Sequence, residues 1–417
     1  MAPSPTGQHA MASTTNDQAS DLRASSQGPV APSQRIEAID VLRGLALFGV
    51  IAINAVFEFR VDIFEQFLTS SGTLPAVDRV LKDVLSAAVE LKAFALFSFL
   101  FGVGLAIQFE RLANHPRRVA LLVRRLVVLL LLGAVHLLLI WNGDILVEYA
   151  VAGLIVLPLL FGPGWLAPVA AAASLVLFVA MPLLPPVVEF PSQPWIRDHI
   201  AQAAIAYGDG GFLDVLAFRT REIPAIFPLH VLIFPRTIGL FLFGALAWRS
   251  GILRRASQYR RLLFGLAVGG IMCGGALTLA AEGYAAFGWT WRAREAIERL
   301  GAVILASGYA AAVIGLVSIP LGERMLGWAA LVGRMAFSNY LAQSLILGWI
   351  FYGYGFGLFG RSSVTAALAI GVAVYAAQVA ISAWWLARYR YGPVEWLWRS
   401  LMYGSWQPMA LRAGIEI

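Results

Sequence analysis

The sequence is poor in charge, in cysteine and in histidine. Charged residues make up 13% of the 417 residues, about half the share that soluble globular domains carry. This scarcity excludes an ordinary soluble domain. The single cysteine, Cys273, excludes an intramolecular disulfide. The five histidines contain no closely spaced pair suited to ligation, so we expect no bound metal.

Apolar residues fill the chain instead. They account for 59% of it, and the mean hydropathy is +0.74. A helix that crosses a membrane needs roughly 20 mostly apolar residues. About ten stretches meet this requirement, so we predict an all-α, polytopic transmembrane helix bundle with these spans: 41–58, 88–109, 124–141, 145–161, 164–184, 229–249, 262–281, 300–319, 329–352 and 364–386.

The basic residues predict the orientation. The pI of about 9.7 does not indicate nucleic acid, because the 31 Lys and Arg residues gather between apolar stretches, as in cytoplasmic loops. We expect membrane lipid, mainly the anionic inner leaflet, as their partner. With ten spans, the arginine clusters within 111–125, 249–261 and 388–399 fall on the side of the N-terminus. Both termini are therefore predicted to be cytoplasmic.

The sequence predicts three regions. Residues 1–34 are rich in Ser, Ala, Gln, Thr and Pro and predict a disordered cytoplasmic tail with no cleaved signal. Residues 35–387 form the bundle, and the long connection 185–228 is expected to fold outside as a cap. Residues 388–417 are expected to form an interfacial cytoplasmic tail, with a short helix that begins near Pro393.

His136 is the best candidate for a functional residue, because an ionisable side chain inside a membrane needs a partner and usually has a function. Asp144 and Glu148 lie in the next turn, four residues apart, and share a face if the fourth helix begins early enough. A histidine oriented by a carboxylate can act as a general base. The alternative interpretation is a hydrogen bond from His136 to a neighbouring helix.

Other polar residues lie at helix positions where charge is costly. Arg43 either binds an anion or pairs with Asp40 three residues earlier, and Asn54 alone is typical of interhelical hydrogen bonding. A second set of candidates for ligand binding consists of Arg236 in the sixth span and of Arg334, Asn339 and Gln343 in the ninth. Packing between helices explains the ninth-span residues about as well.

Several motifs in fixed order carry a resemblance to a known family. They are the runs Arg35–Gly49, Leu96–Gly102, His136 with Trp141–Leu146, Gly333–Ser344 and Gly392–Arg399. Together they resemble the YeiB-type bacterial inner-membrane proteins, whose C-terminal half is domain of unknown function 418. The resemblance spans residues 35–405 and implies a multi-pass protein of the bacterial cytoplasmic membrane.

The opening Asp-x-x-Arg-Gly pattern, at Asp40–Gly44, is similar to that of wider relatives. These are membrane acyltransferases of the acyltransferase-3 and heparan-α-glucosaminide acetyltransferase types, which move an acyl group from a cytoplasmic thioester to an acceptor across the membrane. The acyltransferase-3 pattern has a histidine eleven residues after the arginine, where this chain has Asn54 after Arg43. An amide cannot act as a general base, so His136 would have to take that role.

The resulting hypothesis is a transmembrane acyltransferase. Acyl-CoA would be a co-substrate rather than a permanent cofactor, with its phosphates near Arg43 and Arg334. His136, oriented by Asp144 or Glu148, would deprotonate a hydroxyl or amine of a glycan, lipid or small-molecule acceptor, while Asn54 would stabilise the oxyanion. Arg236 would hold an acidic acceptor. Two alternatives stay open: a transporter, although no internal repeat is evident, and a non-catalytic membrane protein.

Overall fold

The computed structural model describes residues 37–68 and 74–411. Within these residues the regular secondary structure is entirely helical, apart from one isolated bridge between Tyr389 and Ala410. This confirms the predicted all-α class. The proposed disordered tail, 1–34, lies outside the described residues.

Fourteen α-helices make up the described bundle. In chain order, α1 to α14 are Glu37–Ile53, Ala76–Ala88, Glu90–Arg111, Arg118–Val135, Leu146–Phe161, Leu166–Ala180, Gln193–Gly208, Phe212–Arg249, Arg260–Glu282, Trp291–Val317, Pro320–Arg334, Ala336–Phe351, Val364–Leu386 and Pro393–Tyr403.

Eight of the described helical segments are long and apolar enough to cross a membrane, and the shorter α5 is also apolar. The protein is therefore a multi-pass membrane protein, as predicted. The segment Glu37–Phe59 is almost entirely buried in the bundle, whereas α9 and α13 have most of their surface exposed. A helix that is apolar on every face is expected in both environments. A buried helix has protein around it, and an exposed membrane helix has lipid on its outer faces.

The predicted ninth span, 329–352, is wrong as a single helix. The chain leaves helical geometry at Met335, with φ −113° and ψ 28°, so α11 ends at Arg334 and α12 begins at Ala336. The Glu395 carboxylate accepts the backbone N–H groups of Phe337 and Ser338 at 2.8 and 3.1 Å. A carboxylate in this position stabilises the start of a helix inside the bundle.

The connection predicted as a cap, 185–228, is mostly helical. Helix α7 occupies its centre, and α8 begins at Phe212 and continues to Arg249. The 38 residues of α8 extend about 57 Å at 1.5 Å per residue, well beyond a hydrocarbon layer of roughly 30 Å. The predicted sixth span, 229–249, is thus the second half of a longer helix.

Two helices end in wide π-helical turns. Residues Asn54–Phe59 continue α1, and His136–Ile140 continue α4. Both wide turns pack against α12. Single π turns inside helices are rare and are often found at functional sites, and here each begins at a polar residue singled out by the sequence.

Glycines allow close approach between helices. On α9, a Cβ at Gly270 would lie 2.7 Å from the Cα of Gly308 on α10. Small residues at such crossings are the usual means of bringing membrane helices together. A Cβ at the preceding residue, Gly269, would have no atom within 4 Å.

This pair of neighbours gives a matched test of the packing. We expect Gly270→Ala to lower the melting temperature in detergent, because overpacking costs about 1–3 kcal/mol. Gly269→Ala should leave it unchanged or raise it, since alanine favours helix by up to about 1 kcal/mol. Equal effects of the two substitutions would contradict the close α9–α10 contact.

Candidate functional site

A cavity of about 460 Å³ opens at one end of the bundle. Its walls are largely apolar side chains from α3, α4 and α8, including Phe97, Phe101 and Trp248. Arginine is the charged residue that recurs around it. The arginines that line the cavity are Arg43, Arg111, Arg125, Arg334, Arg390 and Arg399.

The arginine clusters separated in sequence meet at this end of the bundle. Trp398 donates its Nε1–H to the backbone carbonyl of Arg125 at 2.9 Å, and the Arg125 guanidinium lies 3.9 Å from a Trp398 ring centroid. Arg254 forms an ion pair with Glu110 at 3.2 Å. The predicted tail helix α14 therefore packs on the bundle beside the cavity, where we had expected an anchor at the membrane surface.

Two predicted ligand-binding arginines line this cavity. Arg43 pairs with Asp40 at 2.8 Å and reaches the carbonyl of Gly333 at 3.3 Å. The Asp40 pairing is the alternative that the sequence offered, but the Arg43 side chain stays 27% exposed and faces the cavity as well. Arg334 lies at the end of α11 and also lines it.

The other end of the cavity lies deep in the bundle. Its lining there includes Ile145, Tyr149 and Tyr340. The ring of Tyr340 is 5.2 Å from the ring of His136, measured between centroids. The cavity therefore ends one side chain away from the buried histidine.

His136 and Asp144 form a fully buried pair. His136 Nδ1 donates to Asp144 Oδ1 at 2.8 Å, and Asp144 Oδ2 accepts the backbone N–H of Val147 at 2.8 Å. Since a carboxylate can only accept, the proton of a neutral imidazole lies on Nδ1. Nε2 then carries the free lone pair, and it has no hydrogen-bond partner in the described bundle. This is the arrangement that a general base requires.

Glu148 does not join this pair. Helix α5 begins at Leu146, so Asp144 lies in the turn before it and the expected shared helical face does not exist. Glu148 instead accepts from His230 Nδ1 at 2.9 Å and from Thr237 at 2.5 Å. Arg236, which is 4% exposed, has Glu148 as its main neighbouring opposite charge.

Asn54 is buried at the start of its π turn, and its Oδ1 has no hydrogen-bond partner in the described part of the chain. The π turns that carry Asn54 and His136 both pack against α12. The candidate oxyanion donor and the candidate base thus flank one helix, which also carries Tyr340.

Asn339 and Gln343 connect helices rather than line the cavity. Asn339 donates to Ser382 at 3.0 Å, and Gln343 donates to Gln378 at 2.8 Å. Gln378 in turn donates to the backbone carbonyl of Asn339 at 2.9 Å. These bonds tie α12 to α13, which favours the packing interpretation for both residues.

A second polar cluster lies at the opposite end of the bundle. It joins Asp62, His199 and Glu222, which are respectively 3%, 8% and 1% exposed. His199 Nε2 lies 2.7 Å from Glu222 Oε1 and 3.7 Å from Asp62 Oδ2. Burial, followed by the nearby Glu222, raises the pKa of Asp62 well above its ordinary value, and burial lowers the pKa of His199.

The sequence did not predict this second cluster. Its members lie after α1, on α7 and in the first half of α8, in segments read as connections rather than as helices. The available signal was the alternation of Glu58, Arg60 and Asp62 directly after the first span, together with His199 in the long connection. The expectation of no metal rested on the spacing of histidines, whereas this cluster joins one histidine to two carboxyl groups.

Comparison with known proteins adds the family. The family described as "Protein of unknown function (DUF418)" matches residues 247–405. The uncharacterised protein YxaH of Bacillus subtilis (strain 168) is 34% identical over 94% of this chain and 100% of its own length. The uncharacterised protein YeiB of Escherichia coli (strain K12) is 30% identical over 88% of this chain and 96% of its own.

A third relative is the uncharacterised 39.9 kDa protein in the amylase 3' region of Bacillus acidopullulyticus, 28% identical over 92% of this chain and 98% of its own. The similarity to YxaH and YeiB covers most of this chain and is therefore not confined to the matched C-terminal region. The chain belongs to the YeiB-type family of membrane proteins that carry the DUF418 region.

Proposed function

We propose that the protein is a transmembrane acyltransferase that takes an acyl group from a cytoplasmic acyl-CoA. The observation that carries the proposal is the path of the arginine-lined cavity, which begins among six arginines and ends one side chain from the His136–Asp144 pair. An anionic carrier with a long neutral arm fits such a path, because the charged part and the reactive end are far apart.

The proposal includes a topology. The ten predicted spans correspond to the eight long segments together with α5 and α12. Ten crossings place both termini on one side, and the arginine end of the bundle assigns that side to the cytoplasm of a bacterial inner membrane. The His136 end of the cavity then faces the middle of the membrane, and the α7 end of the bundle faces outward.

The donor would bind with its phosphates at the cavity mouth. Guanidinium groups bind phosphate in two-pronged, charge-assisted hydrogen bonds, and Arg125, Arg390 and Arg399 approach the mouth from two helices and the segment between α13 and α14. The apolar wall formed by Phe97 and Phe101 suits the neutral arm. A volume near 460 Å³ lies in the range of roughly 300–1,000 Å³ typical of ligand pockets.

The chemistry would be direct acyl transfer. His136 Nε2 takes the proton of an acceptor hydroxyl or amine, the acceptor oxygen or nitrogen forms a bond to the acyl carbonyl carbon, and the carbon–sulfur bond of the thioester breaks. The proton held on Nε2 then goes to the departing CoA thiolate. Asp144 stabilises the imidazolium in between, and the Asn54 amide donates to the transient oxyanion.

A glycan, a lipid or a small molecule would approach His136 from the side opposite the cavity. Arg236 was expected to hold an acidic acceptor, but it faces Glu148 already. The pair therefore contributes to charge balance inside the bundle, and we assign it no contact with the acceptor.

A transporter is the second candidate, and the break between α11 and α12 at Met335 favours it. Interrupted helices beside a polar site are common in transporters. The two functions differ in what happens to the donor. A transporter would move a substrate unchanged, whereas an acyltransferase consumes acyl-CoA and releases free CoA.

Binding of CoA provides the first test. We expect the purified protein to bind CoA, and Arg125→Gln or Arg399→Gln to weaken binding about 10-fold to 100-fold, since a hydrogen bond to a charged group contributes about 1.5–3 kcal/mol. Arg254→Gln is the control, because Arg254 lies at the same end of the bundle but pairs with Glu110. Isothermal titration calorimetry measures all four proteins, and equal affinities would contradict the assigned phosphate site.

Transfer activity provides the second test. Inside-out membrane vesicles that contain the protein should pass label from acetyl-labelled CoA to membrane material, and His136→Gln should lower the rate about 100-fold to 10,000-fold, as expected for loss of a general base. Asp144→Asn should lower it as well, with CoA affinity unchanged in both variants.

The matched control for this test is His230→Gln, which removes a histidine paired with a different carboxylate. It should retain most of the activity. Transfer that survives in His136→Gln would contradict the role of His136, and uptake of an unchanged solute without release of CoA would favour the transporter.

A further inference from the structure

The outer cluster of Asp62, His199 and Glu222 has the geometry of a metal site. One ligand atom from each residue lies within 4.8 Å of the other two. A tetrahedral ion with ligands at roughly 2.1 Å would hold neighbouring ligand atoms about 3.4 Å apart. The distances from His199 Nε2, 2.7 Å to Glu222 and 3.7 Å to Asp62, lie on either side of that value.

Each carboxylate has one oxygen fixed and one oxygen aimed at His199. Asp62 Oδ1 accepts the backbone N–H of Phe64 at 2.8 Å, while Asp62 Oδ2 has no hydrogen-bond partner in the described structure. Glu222 Oε2 accepts from the Tyr207 hydroxyl at 2.5 Å and from Asn142, while Glu222 Oε1 faces His199. Outer hydrogen bonds of this kind orient the ligands of protein metal sites.

The histidine ring is also held in place. It stacks on Trp195 with centroids 4.4 Å apart and on Phe218 at 5.0 Å. Phe64 packs edge-on against it at 5.3 Å. A ring clamped on three sides presents Nε2 in a fixed direction, which is the preorganisation that a binding site needs.

The pocket beside the cluster is rich in carboxyl groups. Three of them, Glu58, Asp62 and Glu222, line it. Buried carboxylates without a counter-charge are costly. One divalent ion bound between Asp62 and Glu222 would stabilise both in their ionised form.

We propose that Asp62, His199 and Glu222 bind one divalent transition-metal cation, with Zn²⁺ as the best match to one imidazole nitrogen and two carboxylate oxygens. The fourth position would hold water or an oxygen of another ligand. This proposal departs from the expectation of no metal, which rested on histidine spacing alone. It is independent of the proposed acyl transfer and is tested by binding alone.

The ion would fasten three separate segments together. Asp62 follows α1, His199 is on α7 and Glu222 is on the outer half of α8, so one ion would hold the outer helices onto the bundle. Through the Asn142–Glu222 hydrogen bond it would also fix the turn that carries Asp144. Loss of the ion should therefore loosen this end of the protein first.

The test uses the full-length protein purified in detergent with an affinity tag that lacks histidine. After removal of metal with EDTA, titration calorimetry with Zn²⁺ should give one site per chain, and bound Zn²⁺ should raise the melting temperature by a few degrees, because a ligand that binds only the folded state stabilises it. His199→Gln and Asp62→Asn should each weaken Zn²⁺ binding at least 10-fold.

His230→Gln is the control, since that histidine has a single carboxylate partner, and it should bind Zn²⁺ like the unmodified chain. If a variant does not fold, X-ray absorption at the zinc edge of the unmodified protein decides the question, with one imidazole and otherwise oxygen ligands expected. Absence of stoichiometric binding, binding that survives in both His199→Gln and Asp62→Asn, or a zinc shell with two or more imidazoles would overturn the proposal.

Discussion

The hydrogen bond between His136 and Asp144 determines how the centre of this protein is built. Both side chains are fully buried, and a lone ionisable group at that depth would be costly. Between the two residues the chain leaves α4 in a wide π turn and reverses before α5. The turn between them places the Trp141 ring on the Phe59 ring, with centroids 4.7 Å apart, and brings Asn142 into contact with Glu222. Removal of either partner would leave a buried polar group unpaired.

The charged side chains elsewhere in the bundle lie in distinct regions along its length. At one end, six arginines and two acidic residues, Asp40 and Glu395, line the cavity, and this excess of basic side chains favours anions. In the middle, Arg236 lies beside Glu148. At the other end, Asp62 and Glu222 lie beside His199. The molecule thus has a basic cavity at one end, a histidine–aspartate pair in the middle and a carboxyl-rich cluster at the other end.

Hydropathy predicted the helices that lipid surrounds, because a run of apolar residues needs no partner to be recognised. The tenth span, 364–386, coincides with α13. The break at Met335 escaped prediction because Glu395, sixty residues further on, caps the new helix. The length of α8 also escaped prediction, since its first half is too polar to resemble a span. It is stabilised by contacts with α7, which itself packs against the segment Ile63–Phe67.

In the candidate site too, the sequence predicted contacts between residues that lie close together in the chain and did not predict contacts between distant ones. His136 and Asp144 lie close in sequence, so their pairing could be inferred, whereas Glu148 was misassigned because its partner His230 is 82 residues away. Six arginines converge on the cavity only through tertiary packing. Asp62, His199 and Glu222 converge in the same way, and no spacing rule connects them.

The central claim is that one continuous path leads from the arginine mouth to His136. The most direct measurement is an electron cryomicroscopy structure of the protein with a CoA thioether that cannot be cleaved. The account predicts density with the phosphates between Arg125 and Arg399 and with the sulfur beside Tyr340. Density elsewhere on the protein, or a cavity that stays empty at saturating ligand, would contradict it.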